Sequence, residues 1–582
     1  MLTHRSSKTR SALLTSLLCG AASISYFNCG FSSSTGGSSA AAGGSTGSGQ
    51  TGSGSGQGGA TSSASTGTTG NTATTGSTAT TGSTGTGGSG GSGTGGAGGA
   101  PVTTTFKNYE VTGTFPKLPT AIAQKPGTLH YTRVLIHSQF LAESCSIADY
   151  NNDGIPDVSS GRIWYEGPPP FSKAHPFRSG HGVLPALGDG PEINTGVSDD
   201  WADYPFDMDG DGNTDIINVA QCDVDEVMYT TNKIGTVQVH ATAVWYKNPG
   251  AAGQAGDPMW ASHLMNSDVR LEHHGLVDMN GDGYPEIYGA CKNCNPPTTK
   301  GYYQGDPKNP TAQWNFHSVT IAYTFPFGGL GWMHGEGAGD VNGDGLPDLL
   351  ERGGVWLQQP GGLWNTTVCT GKNVPAGCGW IKEKTPLLPT GLYDGLTDTV
   401  GNKGASNMFG VDMDGDGLTD IVAADWAHGV GLYWYKQGPD FHFTKYQFMG
   451  DSQTDNPADV TKWGAGFTEP HSLQVVDMDG DGRPDVITGK MRFAHPHGQP
   501  DPDIDGRPYL YVFKNVAMPD SRTGAPITLQ PVLVDPLTNG AIGTPDGGMG
   551  VGRQLAIGHA NTDGIMDICV GTKVGLAVFL GQ

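Results

Sequence analysis

The chain has little charge, and what it has is one-sided. Only 15% of its 582 residues are Asp, Glu, Lys or Arg, and 32 basic residues stand against 55 acidic ones, a formal charge of −23. Nucleic-acid binding is excluded as an expectation, because such affinity rests on clustered Lys and Arg. No apolar run beyond the N-terminal one is long enough to span a membrane. There is no Gly-rich phosphate loop and no Gly-x-Ser-x-Gly elbow. Cys291-Lys-Asn-Cys294 has no second Cys-x-x-Cys to complete a zinc site, so a local disulfide is the better expectation. Cys369 and Cys378 bracket a short loop and are the best disulfide pair among the nine cysteines. Cys145, Cys222 and Cys569 fall near strand-like segments, where buried free thiols fit equally well.

Three segments differ in composition. Residues 1–29 begin with Arg5, Lys8 and Arg10 and continue into the apolar and small-residue run Ser11–Phe27, the order of an export signal. Residues 30–103 are almost wholly Gly, Ser, Thr and Ala. Such a segment cannot pack a core, and the composition predicts a disordered tether spanning roughly 45 Å. Cys29, between the two, stands where a bacterial lipoprotein carries its lipidated cysteine, although Tyr26-Phe-Asn28 and the residues before Cys19 match a lipobox poorly. Lipid anchoring and simple cleavage with release are both open.

Residues 104–582 repeat one nine-residue motif seven times. Positions 1, 3, 5 and 9 are Asp149, Asn151, Asp153 and Asp157 in the first copy, and Asp207, Asp209, Asp211 and Asp215 in the second. The third has Asp278, Asn280, Asp282 and Glu286; the fourth has Asp340, Asn342, Asp344 and Asp348. The fifth has Asp412, Asp414, Asp416 and Asp420; the sixth has Asp477, Asp479, Asp481 and Asp485. The seventh is decayed, with His559 replacing the first acid, and is not expected to hold a cation. Four oxygen ligands, a carbonyl at position 7 and a Gly at position 6 for the turn suit one hard cation, calcium. An EF-hand is excluded, because position 12 holds Asn218, Ala423 or Thr488 instead of Glu. The motifs contribute 23 of the 55 carboxylates, so much of the acidity is ligand.

A β-rich run follows each motif, as in Asp215-Ile-Ile-Asn-Val-Ala220, so each motif is a turn between two strands. A third strand recurs as Ile163-Trp-Tyr, Val244-Trp-Tyr or Tyr433-Trp-Tyr, and a fourth as Trp260-Ala-Ser-His-Leu264. Copies begin 58, 71, 62, 72, 65 and 82 residues apart. That spacing predicts an all-β chain of four-stranded antiparallel blades forming a seven-bladed propeller. The last blade lacks a fourth strand of its own, and Leu129–His137 is expected to supply it and close the ring.

From residue 128 to 582 the motifs resemble the FG-GAP/VCBS repeat family, whose blades carry this loop between first and second strands, as in integrin α-subunit head propellers. The resemblance implies an extracellular propeller with about six structural calcium ions and says little about the opposite face. Strand direction places residues about six before and five after each loop on that face. They include Trp201, Glu272, His273, His274, His334, Glu336, Glu469 and His471, and Arg162, Gln221, Lys292, Arg352, Asp425 and Lys490. Convergence on a funnel would let His274, His334 and His471 hold a transition metal. It would equally let His, Lys490, Arg352 and Asp425 act as base and charge stabiliser on a carbohydrate. Trp201, Trp332 and Trp426 would stack on sugar rings if exposed. The sequence favours a monomeric binding or adhesion module for carbohydrate or protein at the cell envelope. A polysaccharide lyase or sugar dehydratase is the alternative, and membrane contact is expected only through the N-terminal anchor.

Overall fold

The chain divides into two units, one formed by Met1–Cys29 and Pro101–Gln582 and the other by Gly30–Ala100. The computed structural model describes residues 122–582 except 179–182, 185–196, 199, 221–241, 267–268, 270–274, 292–298, 320–335, 352–353, 361–367, 371–379, 383–405, 425, 493–502, 504–505 and 536–539. The tether, the export signal, Cys222, Cys294 and Cys378 lie outside the described residues. Cys145 and Cys569 are buried free thiols in one apolar cluster.

The described fold is all-β and propeller-like. Each acidic motif is a turn between two antiparallel strands, beginning with Ser146–Ala148 to Asp157–Ser160 and ending with Leu555–Gly558 to Asp567–Thr572. The aromatic third strands follow at the expected register: Ile216 pairs with Tyr246, Ile421 with Tyr435 and Val486 with Phe513. Their tryptophans alternate inward and form the core, with Trp164, Trp245, Trp356 and Trp434 all buried. Tyr131–His137 pairs antiparallel with Gly575–Gly581 and is the outer strand of the C-terminal sheet.

The strand count corrects the sequence expectation. Five four-stranded sheets are present among the described residues, not seven. The stretch carrying the fourth and fifth motifs forms one nine-stranded sheet, because Glu336–Gly339 pairs in parallel with Asn407–Val411. The reason is glycine. A side chain on Gly337 would meet the Met408 carbonyl oxygen at 1.7 Å, and one on Gly339 would meet Gly410 Cα at 2.8 Å. Without side chains, two first strands approach to ladder distance.

Apolar packing runs between successive repeats. One core joins the first and second motif-bearing repeats through Tyr150, Trp164, Tyr246 and Trp260. Another joins the fifth and sixth through Phe409, Trp434, Phe467 and Phe513. The cluster around Cys145, Val158, Cys569 and Val578 joins the seventh and first. Side-chain amides add polar rungs between repeats: Gln437 Nε2 donates to Val341 O at 3.0 Å, and Asn515 Nδ2 to Met413 O at 2.7 Å. Gly337→Ala is expected to force these backbones apart and cost about 1–3 kcal/mol, as overpacking does. Denaturant unfolding of the variant tests this, and wild-type stability would contradict the close approach.

Candidate functional site

Every motif is built by its own side chains. Both oxygens of the position-1 aspartate accept backbone amides from positions 5 and 6, as in Asp153 N to Asp149 Oδ1 at 3.2 Å and Gly154 N to Asp149 Oδ2 at 2.8 Å. Asp207, Asp278, Asp340, Asp412 and Asp477 accept the same pair. The position-6 glycine sits at φ between 83° and 90° in the motifs of Gly154, Gly212, Gly283, Gly345, Gly417, Gly482 and Gly564, the left-handed region that disfavours any side chain. The seventh motif lacks the first anchor. His559 Nδ1 instead lies 2.9 Å from Ile565 O, and the Lys125 ammonium caps the Asp563 carbonyl.

The position-9 acid is the deepest group. Asp157, Asp215, Asp348, Asp420, Asp485 and Asp567 are fully buried and Glu286 nearly so. Six of these seven accept one amide from position 2 and one from the third strand. Asp215, for instance, takes Met208 N at 3.0 Å and Asn248 N at 2.7 Å. Burial nevertheless dominates their ionisation, raising Asp157, Asp420 and Asp567 to about 7 and Asp215, Glu286 and Asp485 to about 8. Asp348 is raised well above the ordinary carboxylate range for the same reason.

The arrangement fits a cation. Asp207, Asp209 and Asp215 bring ligand atoms within 4.8 Å of one another, as do Asp412, Asp414 and Asp420, and Asp477, Asp479 and Asp485. Oδ1 of Asp209 and of Asp414 is buried without a hydrogen-bond donor among the described residues. Where position 3 is Asn, the amide bonds within its motif: Asn151 to Asp153 at 3.1 Å, Asn342 to Asp344 at 3.0 Å and Asn280 to Glu286 at 3.0 Å. Hard oxygen donors suit calcium better than a softer metal.

At the opposite end, most of the residues expected to line a funnel lie outside the described stretches. His274, His334, Arg352 and Asp425 lie outside the described residues, as do Glu272, His273, Gln221, Lys292 and Trp332, and nothing described brings the three histidines together. His471 and Lys490 are fully buried instead of facing solvent. Lys490 Nζ donates to Glu469 Oε2 at 2.6 Å and Thr468 Oγ1 at 2.5 Å, so its charge is neutralised where it lies. The His471 and His428 rings meet edge-on at 4.8 Å. Trp201 is buried rather than exposed, with the Arg553 guanidinium 3.9 Å over its ring, and Trp426 is half-buried.

A second buried charge group was not singled out from sequence. Glu143 lies 3.5 Å from both Arg553 Nε and Lys573 Nζ and accepts Ser198 N at 3.0 Å. Asp200 faces Arg178 at 3.7 Å, and burial raises the neighbouring Asp203 well above the carboxylate range. Glu143, Arg553 and Lys573 stand six before, six before and six after their motifs, so the offset rule that selected His471 and Lys490 reaches them too. The segment 551–554 links both groups: Val551 N donates to Lys490 O at 3.3 Å, and Arg553 N to Glu143 O at 2.7 Å.

Comparison with known proteins supports the repeat. Residues 412–488 match the family model described as an FG-GAP-like repeat. No curated protein matches the chain. Among solved structures, an Agrocybe aegerita lectin that recognises non-reducing terminal N-acetylglucosamine shares 16% identity over 69% of this chain and 80% of its own, with a TM-score of 0.32. The V. cholerae biofilm matrix protein Bap1 shares 12% over 80% and 82%, with a TM-score of 0.26. The exotype rhamnogalacturonan lyase YesX shares 13% over 79% and 91%, with a TM-score of 0.27. At these scores the likenesses carry no argument about this chain.

Raised acids set a sign for pH. Without metal, the folded state holds protons on the position-9 acids that the unfolded state releases near pH 4, so stability falls as pH rises through about 7 to 8. Melting in excess chelator is therefore expected to be higher at pH 5.5 than at pH 8, with the difference shrinking when calcium is present. A chelated protein that gains stability toward pH 8 would contradict this account.

Proposed function

We propose that the chain is a calcium-stabilised propeller of seven repeats, with the fourth and fifth sharing a sheet, that serves as an exported binding or adhesion module. The observation that carries this reading is the recurrence of one loop pose around a buried acid, with two oxygens left without donors in Asp209 and Asp414. The packing of the seventh repeat on the first, and the Tyr131–His137 strand on the C-terminal sheet, support a closed ring. Calcium would be held by the 24 loop residues of the first six motifs and would supply the positive charge that lets the buried acids ionise.

The N-terminal basic and apolar order followed by a long uncharged tether supports export and display at a distance from the cell envelope, with Cys29 as the candidate lipid attachment. The ligand would be carbohydrate or protein, bound on the end opposite the loops. For the enzymatic alternative, a lyase or dehydratase, two of the named candidates, Lys490 and His471, are buried.

Two measurements test the proposal. Excess chelator is expected to lower the melting temperature by 10 °C or more, on the order of several kcal/mol of cation binding linked to folding; an unchanged melt would remove the cation reading. A panel of polysaccharides, scored for retention and for release of unsaturated products, is expected to show binding without cleavage. Product release would establish the enzyme instead.

A further inference from the structure

The residue of the third strand that follows the partner of position 10 can be aligned across all seven repeats from strand register. It is Glu166, Lys247, Gln304, Leu357, Lys436, Lys514 and Leu580 in order. Lysine occurs there in the second, fifth and sixth repeats. Those are the three whose position 3 is aspartate: Asp209, Asp414 and Asp479. In the other four, position 3 is Asn151, Asn280, Asn342 or Asn561, and the aligned strand position is not lysine.

The side chains meet. Lys247 Nζ bonds Asp209 Oδ2 and lies 2.7 Å from Asp211 Oδ2. Lys436 Nζ lies 2.5 Å from Asp414 Oδ2 and bonds Asp416 Oδ2. Lys514 Nζ bonds Asp479 Oδ2 and lies 3.5 Å from Asp481 Oδ2. In the second and fifth motifs the ammonium takes one oxygen of the position-3 acid, and the other, Oδ1, stays buried without a donor. One carboxylate thus offers an outer oxygen to lysine and an inner oxygen to the loop.

We propose that this lysine is an outer charge-balancing and positioning residue for the cation loops, exchangeable as a pair with the residue at position 3. An Asp–Lys repeat and an Asn–Leu or Asn–Gln repeat then present the same formal charge of −3, counting four acids and one ammonium in the first case and three acids in the second. Three repeats depart from −3: the first, which has Glu166 at the strand position, the sixth, which has one more cation in Arg483 on Asp481, and the seventh, which has only Asp563 and Asp567. The lysine holds the position-3 carboxylate with one oxygen turned inward and offsets its charge when the loop is metal-free. The inference rests on the cation reading above and adds a residue class that the loop motif does not contain.

Calcium alone is the probe, and the readout is the difference in melting temperature between calcium-loaded and chelated protein. Lys247→Met with Lys436→Met is expected to leave the loaded protein near wild type and to lower the chelated melt, widening the difference by roughly 2–4 °C. Adding Asp209→Asn and Asp414→Asn, which copies the Asn repeats, is expected to restore the wild-type difference. Lys247→Arg with Lys436→Arg keeps the charge and is expected to change nothing. A methionine pair with the wild-type difference, or asparagine substitutions that fail to restore it, overturns the pairing while leaving calcium binding intact. A wild-type protein without any calcium response overturns both.

Discussion

The fold is organised around a buried carboxylate in each repeat that cannot ionise cheaply. In the second repeat, Asp215 ties the start of its loop to the third strand by accepting Met208 N and Asn248 N through its two oxygens. The same pair of bonds is made by Asp157, Asp348, Asp420, Asp485 and Asp567. Two amides lower the cost of charge and burial raises it, and burial wins. On the proposed reading, a cation would close the gap in the six complete motifs. The seventh shows that the roles are separable, since it has lost the position-1 acid to His559 and kept Asp567 with both of its amides.

The opposite end uses charge differently. Lys490 is matched by Glu469, and Glu143 lies between Arg553 and Lys573, in each case with little or no exposure. Buried pairs of this kind do little for net stability but are costly to break singly. They join the sixth, seventh and first repeats through the backbone of 551–554. These buried groups act as internal ties between repeats.

The loops were legible in sequence because their ligands are local: nine residues contain the turn, the glycine and the acids. Strand order and the Trp-bearing third strands followed from spacing, and the described register agrees at Tyr246, Tyr435 and Phe513. The parallel seam of Glu336–Gly339 with Asn407–Val411 was not legible, because it depends on where two glycine-bearing backbones 71 residues apart in sequence meet in tertiary structure rather than on local pattern. The burial of Trp201 was not legible, because its covering group, Arg553, comes from the far end of the chain. The lysine of the third strand was equally hidden, being 22 to 38 residues from its aspartate and visible only once register aligns the repeats.

Calcium stoichiometry in the purified protein, by equilibrium dialysis with metal analysis, tests the central claim most directly. The account predicts about six bound ions, falling to about five when Asp215→Asn removes one buried acid, if that variant is compared at equal folded fraction. Calcium content near zero, or a count unchanged by loss of Asp215, would contradict it.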